Sequence, residues 1–220
     1  MFREYDDLLV ILDDVRRRVP DSRYIWCSAA DGFETTVAQR QGIVLGGAWS
    51  PHFLRDKWSG WWEIPWTVVL RNPSIVRIER AVTSFTEWVP VMEAVAQAGE
   101  ALLVVTTEIS TELLHTFIVN SLKETLSCCV IRPADNLSGW GVSTLSASWD
   151  FVSSPPPTTH QLPKAVEAWS RRNATVVFPT ADSDWRMMVN DVTVISVGGR
   201  NQDDQHHRLR YMVEAIQNGG

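Results

Sequence analysis

A chain of 220 residues with 45% hydrophobic side chains can build one large domain or two small ones around a real core, which excludes disorder as its main state. The net charge of -6 comes from acidic and basic residues mixed along the chain, so no broad basic face is expected to neutralise phosphates, and nucleic acid is excluded as the expected partner. Arg3, Glu4, Asp6 and Asp7 interrupt the start, and no later run reaches the roughly 20 uninterrupted apolar residues of a membrane span; the expectation is a soluble, cytoplasmic protein with no membrane partner.

Leu8, Leu9, Leu12 and Val15 recur at helical spacing, Arg16, Arg17 and Arg18 follow where the negative end of a helix dipole favours cations, and Pro20 stops the run. Strand-like stretches come next at residues 24–28, 75–78, 102–106, 128–132, 175–178 and 192–197, several of them separated by helical patterns. Such alternation predicts an α/β architecture. Between the first two strands, Trp58, Trp61, Trp62 and Trp66 are broken by Gly60 and Pro65 and read as a loop or hairpin. Aromatics of this kind suit a local mini-core, an interface or a sugar-stacking surface.

Two helices are predicted in the middle of the chain. Over residues 87–98, Trp88, Val91, Met92 and Val95 share a face with Val89 beside them, Pro90 falls in the first turn, and Gly99 supplies the stop. The second is predicted over 111–126 with Ser110 as N-cap and Glu112 near the positive helix end. Projected at about 100° per residue, Leu113, Leu114, Phe117, Ile118, Val119, Leu122 and Leu126 spread over roughly 240° of its circumference, more than one buried stripe can use. Either both helices are core elements packed on two sides, or the surplus apolar surface forms a groove for another chain. A proline run at 153–159 predicts an extended linker, and a last helix is predicted over 203–217 before Asn218, Gly219 and Gly220.

No residue pattern supports catalysis. Cys27, Cys128 and Cys129 form no CxxC pair and read as buried thiols. His52, His115, His160, His206 and His207 make no HExxH or Cys/His zinc spacing, so no metal is expected. Neither a GxSxG elbow nor a GxxxxGK[ST] phosphate loop occurs, and the expectation is a protein that is not an enzyme and carries no cofactor.

Three stretches in order resemble the GroEL-type (group I) chaperonins. Gly47-Ala48-Trp49-Ser50-Pro51-His52-Phe53-Leu54 is similar to the family's Gly-Tyr-Leu-Ser-Pro-Tyr-Phe-Ile. Val89-Pro90-Val91-Met92-Glu93-Ala94-Val95-Ala96-Gln97-Ala98-Gly99 resembles its Leu-Pro-Val-Leu-Glu-Ala-Val-Ala-Lys-Ala-Gly helix. The stretch from Leu114 to Asn120 is similar to Leu-Ala-Thr-Leu-Val-Val-Asn. More weakly, Val194-Ile195-Ser196-Val197-Gly198-Gly199 resembles the strand that leads back into the family's intermediate domain, and Asp31-Gly32 its Glu-Asp-Gly turn.

The resemblance implies a swivelling β/β/α apical-like domain at 47–188, flanked by a small helical intermediate-like region made of a start at 1–46 and a return strand and helix at 189–220. It implies a chaperone-type protein–protein interaction, with non-native polypeptide or an extended partner segment held in an apolar groove between two helices. The matching groove positions are Ala48, His52, Phe53, Val89, Met92, Leu114, Ile118, Val119 and Asn120. Leu114 and Ile118 would line that groove while Leu113 and Phe117 turn inward. The family's Gly-Asp-Gly-Thr-Thr phosphate loop has no counterpart in the sequence, so capture without ATP hydrolysis is expected, and Glu214, at the position of the family's catalytic Asp, reads as a surface charge. Two alternatives are a scaffold or regulator for one partner, such as a chaperonin subunit or co-chaperonin, and a small-ligand or carbohydrate receptor using the Trp-rich stretch.

Overall fold

The computed structural model describes residues 5–49, 53, 64–78, 85–133, 162, 164–171, 174–181 and 189–218. Trp58, Trp61 and Trp62, the proline run at 153–159, and His52 lie outside the described residues. The fold is mixed α/β, and no helix among the described residues is long and apolar enough to cross a membrane.

A parallel βαβαβ unit forms the middle of the molecule. Strand β4 (Pro73–Ile78) leads through α2 (Phe85–Gln97) to β5 (Ala101–Thr106), and β5 leads through α3 (Thr111–Leu122) to β6 (Cys128–Pro133). The three strands lie side by side, with Ile75 opposite Leu103 and Leu103 opposite Cys129. Every residue of β5 is buried, as expected for a strand covered on both faces, which explains its unbroken apolar sequence. Right-handed crossovers that advance in one direction across a sheet put both helices on the same face. There α2 and α3 lie next to each other, and the Trp88 and Phe117 rings meet edge to face at 5.4 Å.

The helix ends follow local chemistry. Ser110 caps α3 by accepting a hydrogen bond from the Leu113 amide at 3.3 Å. Gly99 adopts φ +67 after α2, a conformation that suits glycine. Helix α2 begins two residues earlier than expected, which moves Pro90 into the second turn. Helix α3 ends earlier than expected, at Leu122, because Glu124 enters the left-handed region at φ 59. The chain then reverses, with the Thr125 amide bonded to the Asn120 carbonyl at 3.1 Å, and Leu126 turns into the core.

A 14-residue strand, β2 (Thr36–Trp49), runs through the whole fold. Residues 36–42 pair antiparallel with β9 (Asn190–Val197), 43–46 with β8 (Ala174–Pro179), and 47–49 with β6. Strand β7 (Ala165–Arg171) pairs with β8 on one side and with β3 (Val68–Arg71) on the other. A bridge between Ser74 and Lys164 brings β4 back towards β7, so the sheet curls on itself. Glu100 ties that seam, accepting from the Ser74 hydroxyl at 2.7 Å and from the Lys164 ammonium.

The curled sheet separates two cores. On β8, Val177 faces the core under α2 and α3, whereas Val176 and Phe178 face the other. The same alternation sends Ala168 to the first core and Trp169 to the second, and Ile43 and Leu45 to the first while Val44 packs on the second. The second core is closed by β1 (Ile25–Ala29), which pairs in parallel with β9, and by two helices from opposite ends of the sequence, α1 (Asp6–Arg18) and α4 (Gln202–Asn218). Leu8, Leu12 and Val15 of α1 and Leu209, Met212, Val213 and Ile216 of α4 are buried in it. Gly198 is required where β9 turns towards α4, since a Cβ there would sit 2.3 Å from the Phe33 carbonyl oxygen.

Candidate functional site

The spacing of α2 places Val89, Met92, Glu93 and Ala96 at i, i+3, i+4 and i+7, on the face turned towards α3. Trp88, Val91 and Val95 point beneath the helix into the core. Above the Trp88–Phe117 contact the helices part. An open furrow of about 230 Å³ lies between α2 and the C-terminal end of α3 with the reversal that follows it, lined by Val89, Met92, Glu93, Ala96, Asn120, Thr125 and Leu126. Its walls are mainly apolar.

The polar groups at its α3 end are satisfied locally. The Asn120 amide donates to the Thr116 carbonyl at 2.9 Å, and its side-chain oxygen accepts from the Thr125 hydroxyl at 2.8 Å. Asn120 therefore braces the reversal that carries Thr125 and Leu126 to the furrow. Glu93 is exposed, with no hydrogen bond or ion pair among the described residues.

Of the positions singled out from the sequence, Val89, Met92 and Asn120 come together here, Met92 being only 8% exposed and also part of the first core. Leu114 is half-buried and packs against the core. Ile118 is only 7% exposed and, with Leu113 and Phe117, belongs to the core. Val119 projects outward, 45% exposed, near Leu122 at 52% on the outer side of α3. Phe53 is buried in the first core. Ala48 lies in β2 opposite Arg132 of β6. Glu93, Ala96, Thr125 and Leu126 were not expected at the furrow. The helical spacing from Val89 was a usable signal for the first two, whereas Thr125 and Leu126 depend on the early end of α3.

A second hollow, of about 420 Å³, is lined by residues 29–34, Thr36 and Ser196 at the turn between β1 and β2. It is the larger of the two, but its walls are small or polar except for Phe33, which is 76% exposed. The helix furrow presents more apolar surface to a ligand. Cys27, Cys128 and Cys129 are buried thiols. Burial pushes the Cys27 thiol up to about 12, against a smaller opposing effect of the Arg171 charge, and it also pushes Cys129 up. Neither is a nucleophile at neutral pH. No cluster of three or more His, Cys, Asp or Glu suited to a metal occurs among the described residues.

Fold and site together define a mixed α/β protein in which two parallel-crossover helices leave an apolar furrow over a buried sheet. Over 123 residues, 56% of this chain, the sequence is 24% identical to chaperonin GroEL 1 of Corynebacterium efficiens. The match covers 22% of that protein, so the chain spans about a fifth of the length of this curated relative. No family model matches the chain. At this identity the similarity supports a distant, chaperonin-like relationship.

Proposed function

We propose that the chain is a non-catalytic, chaperonin-like module that holds non-native or extended polypeptide in the furrow between α2 and α3, without ATP hydrolysis. The observation that carries this reading is the open apolar furrow lined by Val89, Met92, Ala96 and Leu126 on the helix pair. The distant similarity to a chaperonin supports it independently. So does the furrow's size: it falls below the roughly 300 Å³ typical of small-molecule pockets and suits one or two side chains of a passing segment.

Capture is hydrophobic. Moving an apolar side chain from water into the furrow contributes about 25 cal/mol per Å² of surface removed, so a single leucine supplies about 1.5–3 kcal/mol. Little in that term depends on the order of residues in the captured segment. Trp88 of α2 and Phe117 and Ile118 of α3 fill the core against the sheet and are therefore unavailable to the ligand.

The test is suppression of aggregation of a reduced, unfolded model protein, read by light scattering. Ala96 is exposed at the furrow, so Ala96→Trp is expected to fill it while leaving the core intact, and Val89→Asp to place a charge in its wall. Each should weaken binding about 10–100-fold, the loss of one apolar anchor. Addition of ATP should change nothing. Unaltered holding by a folded Ala96→Trp variant rules the furrow out.

A further inference from the structure

Among the described residues, Glu93 is the one charged side chain that lines the furrow, and it has no ionic or hydrogen-bonding partner. The other α2 residues that line the furrow are apolar, and the nearby polar groups Asn120 and Thr125 already satisfy each other at 2.8 Å. A carboxylate left unpaired beside an apolar trough gives the site a direction of preference that hydrophobic capture alone lacks.

Resting on the function proposed above, we infer that Glu93 is a specificity-determining residue and that the furrow favours extended segments in which an apolar residue is followed or preceded by lysine or arginine. The apolar side chain enters between Val89, Met92, Ala96 and Leu126, while the adjoining cation reaches the Glu93 carboxylate at the rim. A segment with an acidic residue at that place meets like-charge repulsion instead. Because Glu93 is exposed, the contribution is that of a rim charge: it tunes on-rate and salt dependence more than it anchors the ligand. The chain's net charge of -6 adds a weak long-range field of the same sign.

Three labelled peptides, identical except for Lys, Gln or Glu beside a single leucine, test this by fluorescence anisotropy with the full chain. The Lys peptide is expected to bind about two- to fivefold more tightly than the Gln peptide, and the Glu peptide more weakly than either. The spread should shrink as salt is raised towards about 0.5 M, where screening acts over a few ångströms. Glu93→Gln should bring the Lys-to-Gln affinity ratio to one, whereas Glu93→Asp keeps part of it. If the Gln peptide binds, and Ala96→Trp removes that binding, but the ratio is one in the wild type or survives Glu93→Gln, the charge preference is overturned and the furrow stands. If no peptide binds in a manner sensitive to Ala96→Trp, the furrow and the preference fall together.

Discussion

Each core of the protein is roofed by a pair of helices, but the two pairs are built to different ends. Helices α1 and α4 are stitched along their length: Arg16 donates to the Ala215 carbonyl at 2.6 Å, Arg208 bonds Asp7 and the Gly198 carbonyl, and the Tyr5 and Tyr211 rings lie 4.9 Å apart. Helices α2 and α3 touch at their base, through Trp88 and Phe117, and open above it. The two helices of the sealed pair come from opposite ends of the sequence, and cross-links hold them where no short connection can. Those of the open pair are each fixed by a short crossover to the same parallel sheet, so the sheet rather than mutual contact sets their spacing, and a furrow can persist between them.

The comparison is broken most forcefully at the base of the open pair. Trp88→Ala removes a buried indole and should cost about 3–5 kcal/mol in a denaturant titration. Because β2, β7 and β8 contribute side chains to both cores, loss of the α2–α3 side and of the α1–α4 side should occur in one transition. Two separated transitions would show that the shared strands do not couple the halves.

A smaller effect is expected where the second core is pinned to the sheet. Arg171 is buried on β7, its guanidinium 4.3 Å over the Trp26 ring, and it donates to the Ile25 carbonyl at 3.0 Å and to that of Ser22. Burial lowers its pKa to about 10, with partial compensation from Cys27 and Asp21, so it stays charged at neutral pH. Arg171→Ala orphans buried carbonyls and should cost about 1–3 kcal/mol. Peptide binding at the distant furrow should survive in the folded fraction, which equilibrium binding below the unfolding midpoint would check.

The smallest effect lies in the stitching itself. The hydrogen bond from Arg208 holds the Asp7 carboxyl below the usual carboxylate range, against a weaker opposing effect of desolvation. A depressed folded-state pKa contributes stability above the unfolded value of about 3.9 and loses it as pH falls through the folded value. Stability should therefore decline below about pH 4, and less steeply in Asp7→Asn. Asp7 is more than half exposed, so solvent screening keeps the difference shallow.

The six strands expected from apolar runs all occur, as do the four helices, because those segments are locally consistent with what they become. Among the described residues, three strands were not legible. Strand β2 carries Gln39, Arg40 and Gln41 followed by Gly42, Gly46 and Gly47, a composition that discourages strand assignment, and it is extended because three successive partners hold it. In β7, Glu167 and Arg171 interrupt the pattern, yet Glu167 pairs with Arg40 at 3.2 Å across the sheet. Strand β3 spans four residues, too short for a period to show.

At the furrow, the wide apolar arc of α3 was visible, but its use was not. Leu126 lies past the end of the helix, Ile118 is drawn into the core, and the outward share falls to Val119 and Leu122. Helical spacing fixes the angle between side chains. It does not fix the rotation of the helix against its sheet.

Because the three native thiols are buried, Ala96→Cys offers a single reactive site at the furrow for an environment-sensitive dye, and Val10→Cys, exposed on α1, a matched control. Titration with an unfolded polypeptide should give a saturable blue shift from the label at position 96 and none from the label at position 10. A shift of equal size at both positions, or at neither, would contradict capture between α2 and α3.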